Sequence, residues 1–313
     1  MVRKHIRATV LAGGVGAARF LEGLCRVSDP TEVTILCNVG DDFNWHGLYV
    51  SPDIDTVIYT LAGLQGGSGW GLSGDSVAML EELEALGVEP WFRIGDRDLA
   101  THIWRTEKLD AGHSLSEITA ELAELRGLRC RVLPVTDDLH PTVIETLEGE
   151  LAFQDYFVRG KSSATVRGIH FPGAISARPG PDVIEAIKGA DIVIVAPSNP
   201  FVSIEPLLVV SGVRDALLQT KAVRVAVSPI VGGEAVKGPA AEMLLSLGHE
   251  VSALGVARLY AGLVDVFVLD EIDAMLVSNV EALGLRAVVC NTMMTTTERC
   301  DQLARQVLQA VNH

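Results

Sequence analysis

The stretch Ala8-Thr9-Val10-Leu11-Ala12-Gly13-Gly14-Val15-Gly16-Ala17-Ala18-Arg19-Phe20 decides the fold class. Ala8–Leu11 reads as a buried strand, and beyond the glycines a helical pattern runs through Leu24. A strand that feeds a helix through glycines leaves backbone N–H groups unpaired and aims a helix N-terminus at an anion. Gly13, Gly14, Val15 and Gly16 are therefore candidate phosphate-binding residues, and Arg19, one turn into the helix, can face the same anion. The bland alternative is that the glycines only permit close helix-to-strand packing. Two familiar phosphate loops do not fit. The dinucleotide fingerprint wants a third glycine where Arg19 stands, and the P-loop wants a Gly-Lys-Ser/Thr ending that is absent. An NAD site also wants an acid closing the second strand, whereas Val33–Cys37 runs into Asn38.

Outward from this unit, apolar runs alternate with helical patterns, as in a Rossmann-like, doubly wound and mostly parallel α/β sheet. Further strands are expected at Asp191–Ala196, Ala222–Val227 and Val266–Leu269, with a short one at Trp91-Phe92. Helices are expected at Ser76–Leu86, Ser114–Leu125, Pro181–Lys188, Pro239–Leu247 and Thr297–Ala310, and one introduced by Pro52. The core then comprises 1–128 and 172–313. Residues 129–171 form an inserted lobe, with a hairpin of Val143–Leu147 and Glu150–Phe153 and a mobile loop at Val158–Ser163.

The 313 residues are 48% hydrophobic and 5% aromatic, and a mean hydropathy of +0.31 gives ample material for a large aliphatic core. A net charge of -15 argues against a nucleic-acid surface or an anionic membrane, both of which need clustered Lys and Arg. An anionic substrate must therefore meet local positive charge, a metal ion, or both. The five cysteines show no C-x-x-C pairing, so neither a disulfide framework nor a thiolate zinc site is indicated, and a reducing cytoplasm is expected. No targeting or membrane segment is read.

Four carboxylates follow the glycine turn closely in Val39-Gly40-Asp41-Asp42 and Ser51-Pro52-Asp53-Ile54-Asp55-Thr56. Asp41 and Asp42 lie just past the second strand, on the edge where open α/β sheets bind ligands. Magnesium favours a few carboxylates plus phosphate oxygens, so Asp41 and Asp55 are the expected metal ligands. Asp42, Asp53 or His46 can approach an attacking hydroxyl, and the spacing selects none of them. Asp53 equally reads as an N-cap. In Gly95-Asp96-Arg97-Asp98, Arg97 is the natural phosphate contact with Asp96 beside it, against a capping cluster at a helix start. Ser198 and Asn199, at the end of an apolar strand, offer short donors and acceptors for a nucleotide.

Taken together, these blocks resemble the 2-phospho-L-lactate transferases (CofD, called FbiA in actinobacteria) of coenzyme F-420 biosynthesis. The likeness runs from Gly13-Gly14-Val15-Gly16 through Asn38–Asp42, Ser51–Thr56, Gly95–Asp98, Phe153-Gln154-Asp155 and Pro197–Pro200 to Met294–Thr297. It implies transfer of a phosphorylated three-carbon acid from a GDP-linked donor to the deazaflavin Fo, with release of GMP, a requirement for Mg²⁺ and a homodimer. The acid could be phospholactate, enolpyruvyl phosphate or phosphoglycerate. It places metal and acceptor binding at the Asp41 and Asp55 loops, with Asp41, Asp42 and Asp55 catalytic and Asp53, Asp55, Asp96 and Arg97 on substrate. Trp45, Tyr59 and Trp70 are candidates for the tricyclic acceptor's cleft, against ordinary core aromatics. The alternatives are a non-catalytic nucleotide-sugar-binding regulator of the same superfamily and, already weakened, an NAD-dependent oxidoreductase.

Overall fold

The computed structural model describes residues 5–67, 69–160, 162 and 164–310. A seven-stranded sheet forms its centre. In chain order the strands are β1 (Ala8–Ala12), β2 (Val33–Cys37), β3 (Arg131–Pro134), β4 (Ile192–Val195), β5 (Val223–Val227), β6 (Val266–Leu269) and β7 (Arg286–Val289). All six pairings are parallel, in the order β7-β6-β5-β4-β1-β2-β3. Strands covered on both faces need continuous apolar sequence, and β1, β4 and β6 are buried along their whole length.

The chain builds outward from β1 to β3, then returns to place β4 against the other side of β1, with Ala8 opposite both Val33 and Ile192. Strand order thus reverses between β1 and β4. Connections leave the carboxyl ends of those two strands in opposite directions and open a crevice there.

Helix α1 (Gly14–Val27) buries Ala17, Ala18, Phe20, Leu21 and Leu24, the one-face spacing of an amphipathic helix. It packs on α2 (Pro52–Leu61) and on the last helix, Thr297–Gln309. Gly23 faces the backbone carbonyl of Cys300, so no side chain fits between the two helices there. Helices α3 (Ala78–Ala85), α4 (Asp96–Asp110) and α5 (Leu115–Leu125) lie between α2 and β3 in the chain. Among the described residues, no helix is long and apolar enough to cross a membrane.

Three small sheets flank this frame, one of them the short hairpin Ile230–Val231 with Glu234–Ala235. Phe43–Trp45 and Leu48–Val50 form a hairpin, and Val143–Thr146, Gly149–Ala152 and Val166–His170 form an antiparallel three-stranded lobe. The lobe starts later than residue 129, because Arg131–Pro134 pairs with β2 as the edge strand of the main sheet. Its apolar pattern is that of any short strand, and only its non-local partner shows the difference. Trp91-Phe92 is not a strand; both rings pack with Phe43 in a separate cluster around Trp45, Val50, Leu80 and Ile94. Of the loop expected at Val158–Ser163, Lys161 and Ser163 lie outside the described residues, and Asp155–Arg159 is a helical turn.

Candidate active site

The glycine turn sits at the crevice between β1 and β4. Gly14 has φ +74°, a left-handed conformation that favours glycine. A Cβ on Gly13 would come within 2.8 Å of Asp53 Oδ2 and 2.9 Å of Ser203 Cβ, and one on Gly16 would run into the Pro197 carbonyl. The turn is pinned by its own chain: the Ser198 hydroxyl donates to the Gly13 carbonyl at 2.9 Å. Asn199 accepts from the Phe201 N–H at 2.9 Å and faces the Met243 sulfur. These bonds engage Ser198 with the turn and Asn199 with its own loop and Met243, where the sequence suggested open nucleotide contacts. Arg19 likewise is engaged elsewhere, paired with Glu22 at 3.1 Å and donating to the Met294 carbonyl at 3.3 Å. The cation beside the turn is Lys237. A Cβ on Gly69 would lie 2.7 Å from its ammonium and 2.8 Å from Val15 Cγ1, and burial lowers this lysine's pKa. Nothing in its local sequence signalled it.

Asp53 lies at the second position of α2, after the helix N-cap Ser51. Its carboxylate crosses to the neighbouring elements, accepting from the Gly14 N–H at 2.7 Å and from Asn38 Nδ2 at 2.9 Å. One donor of the anion-binding turn is therefore already occupied by a protein carboxylate. Asn38 also orders the next loop by accepting from the Gly40 N–H at 2.8 Å. Asp41 follows, 6% exposed, with its Oδ1 lacking any partner; Asp42 accepts from the Ser51 hydroxyl at 2.6 Å through Oδ2, and its Oδ1 also lacks one. Burial pushes both carboxyls well above the usual range, and for Asp41 the charge of Asp53 adds to it. Burial likewise pushes Asp53 up to about 6. The lobe grips this loop: Gln154 Nε2 donates to the Asp41 carbonyl at 3.3 Å, and the Thr142 N–H to the Gly40 carbonyl at 2.7 Å.

Asp55 is placed differently from the other three. It forms a buried, two-point ion pair with Arg105 of α4, itself 1% exposed. Burial disfavours a charged guanidinium, but Asp55 more than offsets this and raises the Arg105 pKa. His102 lies 3.7 Å from Asp55 and 3.5 Å from Asp98, and Tyr59 donates to Asp98 at 2.7 Å. Burial opposes ionisation of Asp98, yet its bonds to His102 and Tyr59 hold it below the usual carboxylate range. The expected pairing of Asp41 with Asp55 therefore gives way to a cluster of Asp41, Asp42 and Asp53, with Asp55 neutralised behind it. Arg105 was missed, although Asp98, Thr101, His102 and Arg105 form one buried polar stripe at helical spacing.

Asp96 is engaged as a structural clamp. It accepts from the Ser76 hydroxyl at 2.6 Å and from the N–H groups of Ala78 and Met79 at 3.0 Å, fastening the start of α3 to α4. Asp75 returns the favour by accepting from the Arg97 and Asp98 N–H groups. The Arg97 side chain is exposed and donates to the Ser73 carbonyl at 3.1 Å. Beside it lies a cleft of about 270 Å³ lined by Trp70, Arg93, Gly95 and Asp98, with the glycine-rich segment around Gly66 and Gly71. Of the three aromatic candidates, Trp70 alone lines this cleft. Trp45 and Tyr59 are 3% and 1% exposed, in the core. His46 stands at an exposed hairpin tip.

Among the described residues, no group of three or more His, Cys, Asp or Glu side chains is arranged to hold a metal by itself. Two buried carboxylate oxygens without partners nevertheless suit a hard divalent cation whose remaining ligands come from substrate phosphate and water.

With this geometry in place, comparison with known proteins is decisive. The family model for 2-phospho-L-lactate transferase CofD matches residues 8–310. The chain belongs to the CofD family. It is 43% identical over 312 residues to the phosphoenolpyruvate transferase of Streptomyces griseus, covering 97% of this chain and 98% of that one. It is 38% identical over 302 residues to the 2-phospho-L-lactate transferase of Methanosarcina mazei, covering 96% and 99%. The crystal structure of protein BH3568 from Bacillus halodurans shares the fold, with a TM-score of 0.66 and 16% identity over 97% of this chain and 100% of that one. Membership agrees with the α/β architecture and with an enzymatic, transferase role.

Proposed function

We propose that this CofD-family transferase moves a phosphorylated three-carbon acid from a GDP-linked donor to the ribityl hydroxyl of the deazaflavin Fo, releasing GMP, as a cytoplasmic homodimer in coenzyme F-420 biosynthesis. The observation that carries the reading is the set of carboxyls from Asp41, Asp42 and Asp53 past the ends of β1 and β2, of which Asp53 accepts from the Gly14 N–H of the glycine turn. A diphosphate cannot approach three carboxylates and an occupied Gly14 N–H without positive charge. Asp41 and Asp42 are the residues with free buried oxygens to hold Mg²⁺, with Asp53 adjacent. When bound, the ion supplies neutralisation of the diphosphate and of the GMP leaving group.

The chain's own residues do the rest by positioning. Lys237, whose ammonium shares the space beside Gly69 with Val15 of the turn, is the cation assigned to a donor phosphate in this reading. Trp70 offers a flat face for the tricyclic acceptor, and Arg93 lines the same cleft, facing Asp75 and Asp98 there. As the ribityl oxygen bonds to phosphorus and the bond to GMP breaks, the hydroxyl proton passes to an ionised carboxylate of this group, for which Asp53, pushed up to about 6 by burial, is the candidate acceptor. The Arg105 pair keeps Asp55 from adding a fourth uncompensated charge.

The test is incubation of the purified protein with Fo, Mg²⁺ and, separately, the GDP-linked forms of phospholactate, enolpyruvyl phosphate and phosphoglycerate. GMP release with a matching mass gain on Fo is expected for one of them. No GMP from any of the three would overturn the reading.

A further inference from the structure

The amino edge of the sheet, opposite the carboxylates, carries two thiols that the transferase chemistry does not use. Cys25 lies in the last turns of α1, half-buried, and Cys130 directly precedes β3, 8% exposed. They come from segments 105 residues apart, yet both line one cleft of about 300 Å³ together with Arg26, Pro30 and Gly127. The two thiols are close enough to perturb each other's ionisation. An ion pair between Arg129 and Asp29 at 3.2 Å ties the same two segments beside them. Of the other cysteines, Cys37 and Cys300 are fully buried.

We infer that Cys25 and Cys130 form a peroxide-responsive dithiol site, closed by an intramolecular disulfide that joins the end of α1 to the start of β3. Bonding to Cys25 holds the Cys130 thiol below its ordinary pKa, while Cys25 is raised and keeps its proton. Cys130 is thus the attacking sulfur and Cys25 the resolving one. In the first step the Cys130 thiolate takes the terminal oxygen of hydrogen peroxide. The O–O bond breaks, giving a sulfenic acid, and the departing hydroxide takes up the proton that Cys130 lost on ionising and leaves as water. In the second, the Cys25 sulfur bonds to the Cys130 sulfur, the S–O bond breaks, and the departing hydroxyl takes the Cys25 proton as a second water. Two thiols lose two electrons and one peroxide becomes two waters. A dithiol reductant reverses the bond by exchange.

The test uses the wild-type chain, reduced and then treated with hydrogen peroxide under native conditions. A mass 2 Da below the reduced protein is expected, with two of its five cysteines lost to thiol titration and a proteolytic peptide linking Cys25 to Cys130. The melting temperature should rise by roughly 5 °C and return with dithiothreitol, because the bridge closes a long loop. In C25S, dimedone should label Cys130 and no link should form. Oxidation that yields sulfinic acids, a link to another cysteine or a link between two chains, with no Cys25–Cys130 peptide, would overturn the inference.

Discussion

Asp41 shows how a single residue sets function against stability. Its carboxyl is buried, has an oxygen without a partner and sits beside Asp53, so burial and like charge both raise its pKa. A carboxyl raised in the folded state supports folding fully below its unfolded value of 3.8 and loses that support as pH climbs through the folded value. At neutral pH without a divalent cation, Asp41 therefore weakens the native state. Asp41→Asn should stabilise the protein by about 1–2 kcal/mol at pH 7.5 in EDTA, with the gain fading toward pH 4. The same variant should lose turnover by at least roughly 100-fold. Denaturant melts across pH, paired with GMP-release assays, check both outcomes. A variant that was active, or less stable than wild type at pH 7.5, would remove Asp41 from the metal-binding role.

Among the elements, the α3–α4 junction separates what sequence can show from what it hides. Gly95-Asp96-Arg97-Asp98 has the look of a phosphate site, yet Asp96 caps α3 and Asp75 caps α4 in exchange. Asp96→Ala should lower the melting temperature by a few degrees through the lost cap while leaving kcat and KM essentially unchanged. A large rise in the KM for Fo would restore Asp96 to the substrate. The strands and amphipathic helices were legible because their signals are local: Val33–Cys37, Val266–Leu269 and the helix from Thr297 appear as read, within a residue. The glycine turn and the nearby acids were legible for the same reason. Partnerships across the chain were not. Asp55 meets Arg105 fifty positions on, Gly69 meets Lys237, and β3 joins the sheet across from residues that give no hint of it.

For the whole molecule, a net charge of -15 frames nucleotide binding, since an anion is drawn to this protein only at a site that supplies its own positive charge. GDP with Mg²⁺ should therefore raise the melting temperature more than NAD does, and chelation of the metal should abolish most of the shift. At one hundred times Kd the gain is about 2.7 kcal/mol. Equal shifts from GDP and NAD, or a shift indifferent to EDTA, would count against the guanylated donor.

The reversal between β1 and β4 also governs how the site comes into being. Gly13 and Gly16 are shaped by Ser198, Ser203 and Pro197, almost two hundred residues further along. A growing polypeptide thus carries its glycine turn and its aspartates long before the segment that shapes them, Pro197–Ser203, leaves the ribosome. Such dependence on distant contacts makes for slow maturation. It also leaves Gly13 and Gly16 without their packing partners until Pro197–Ser203 have been made.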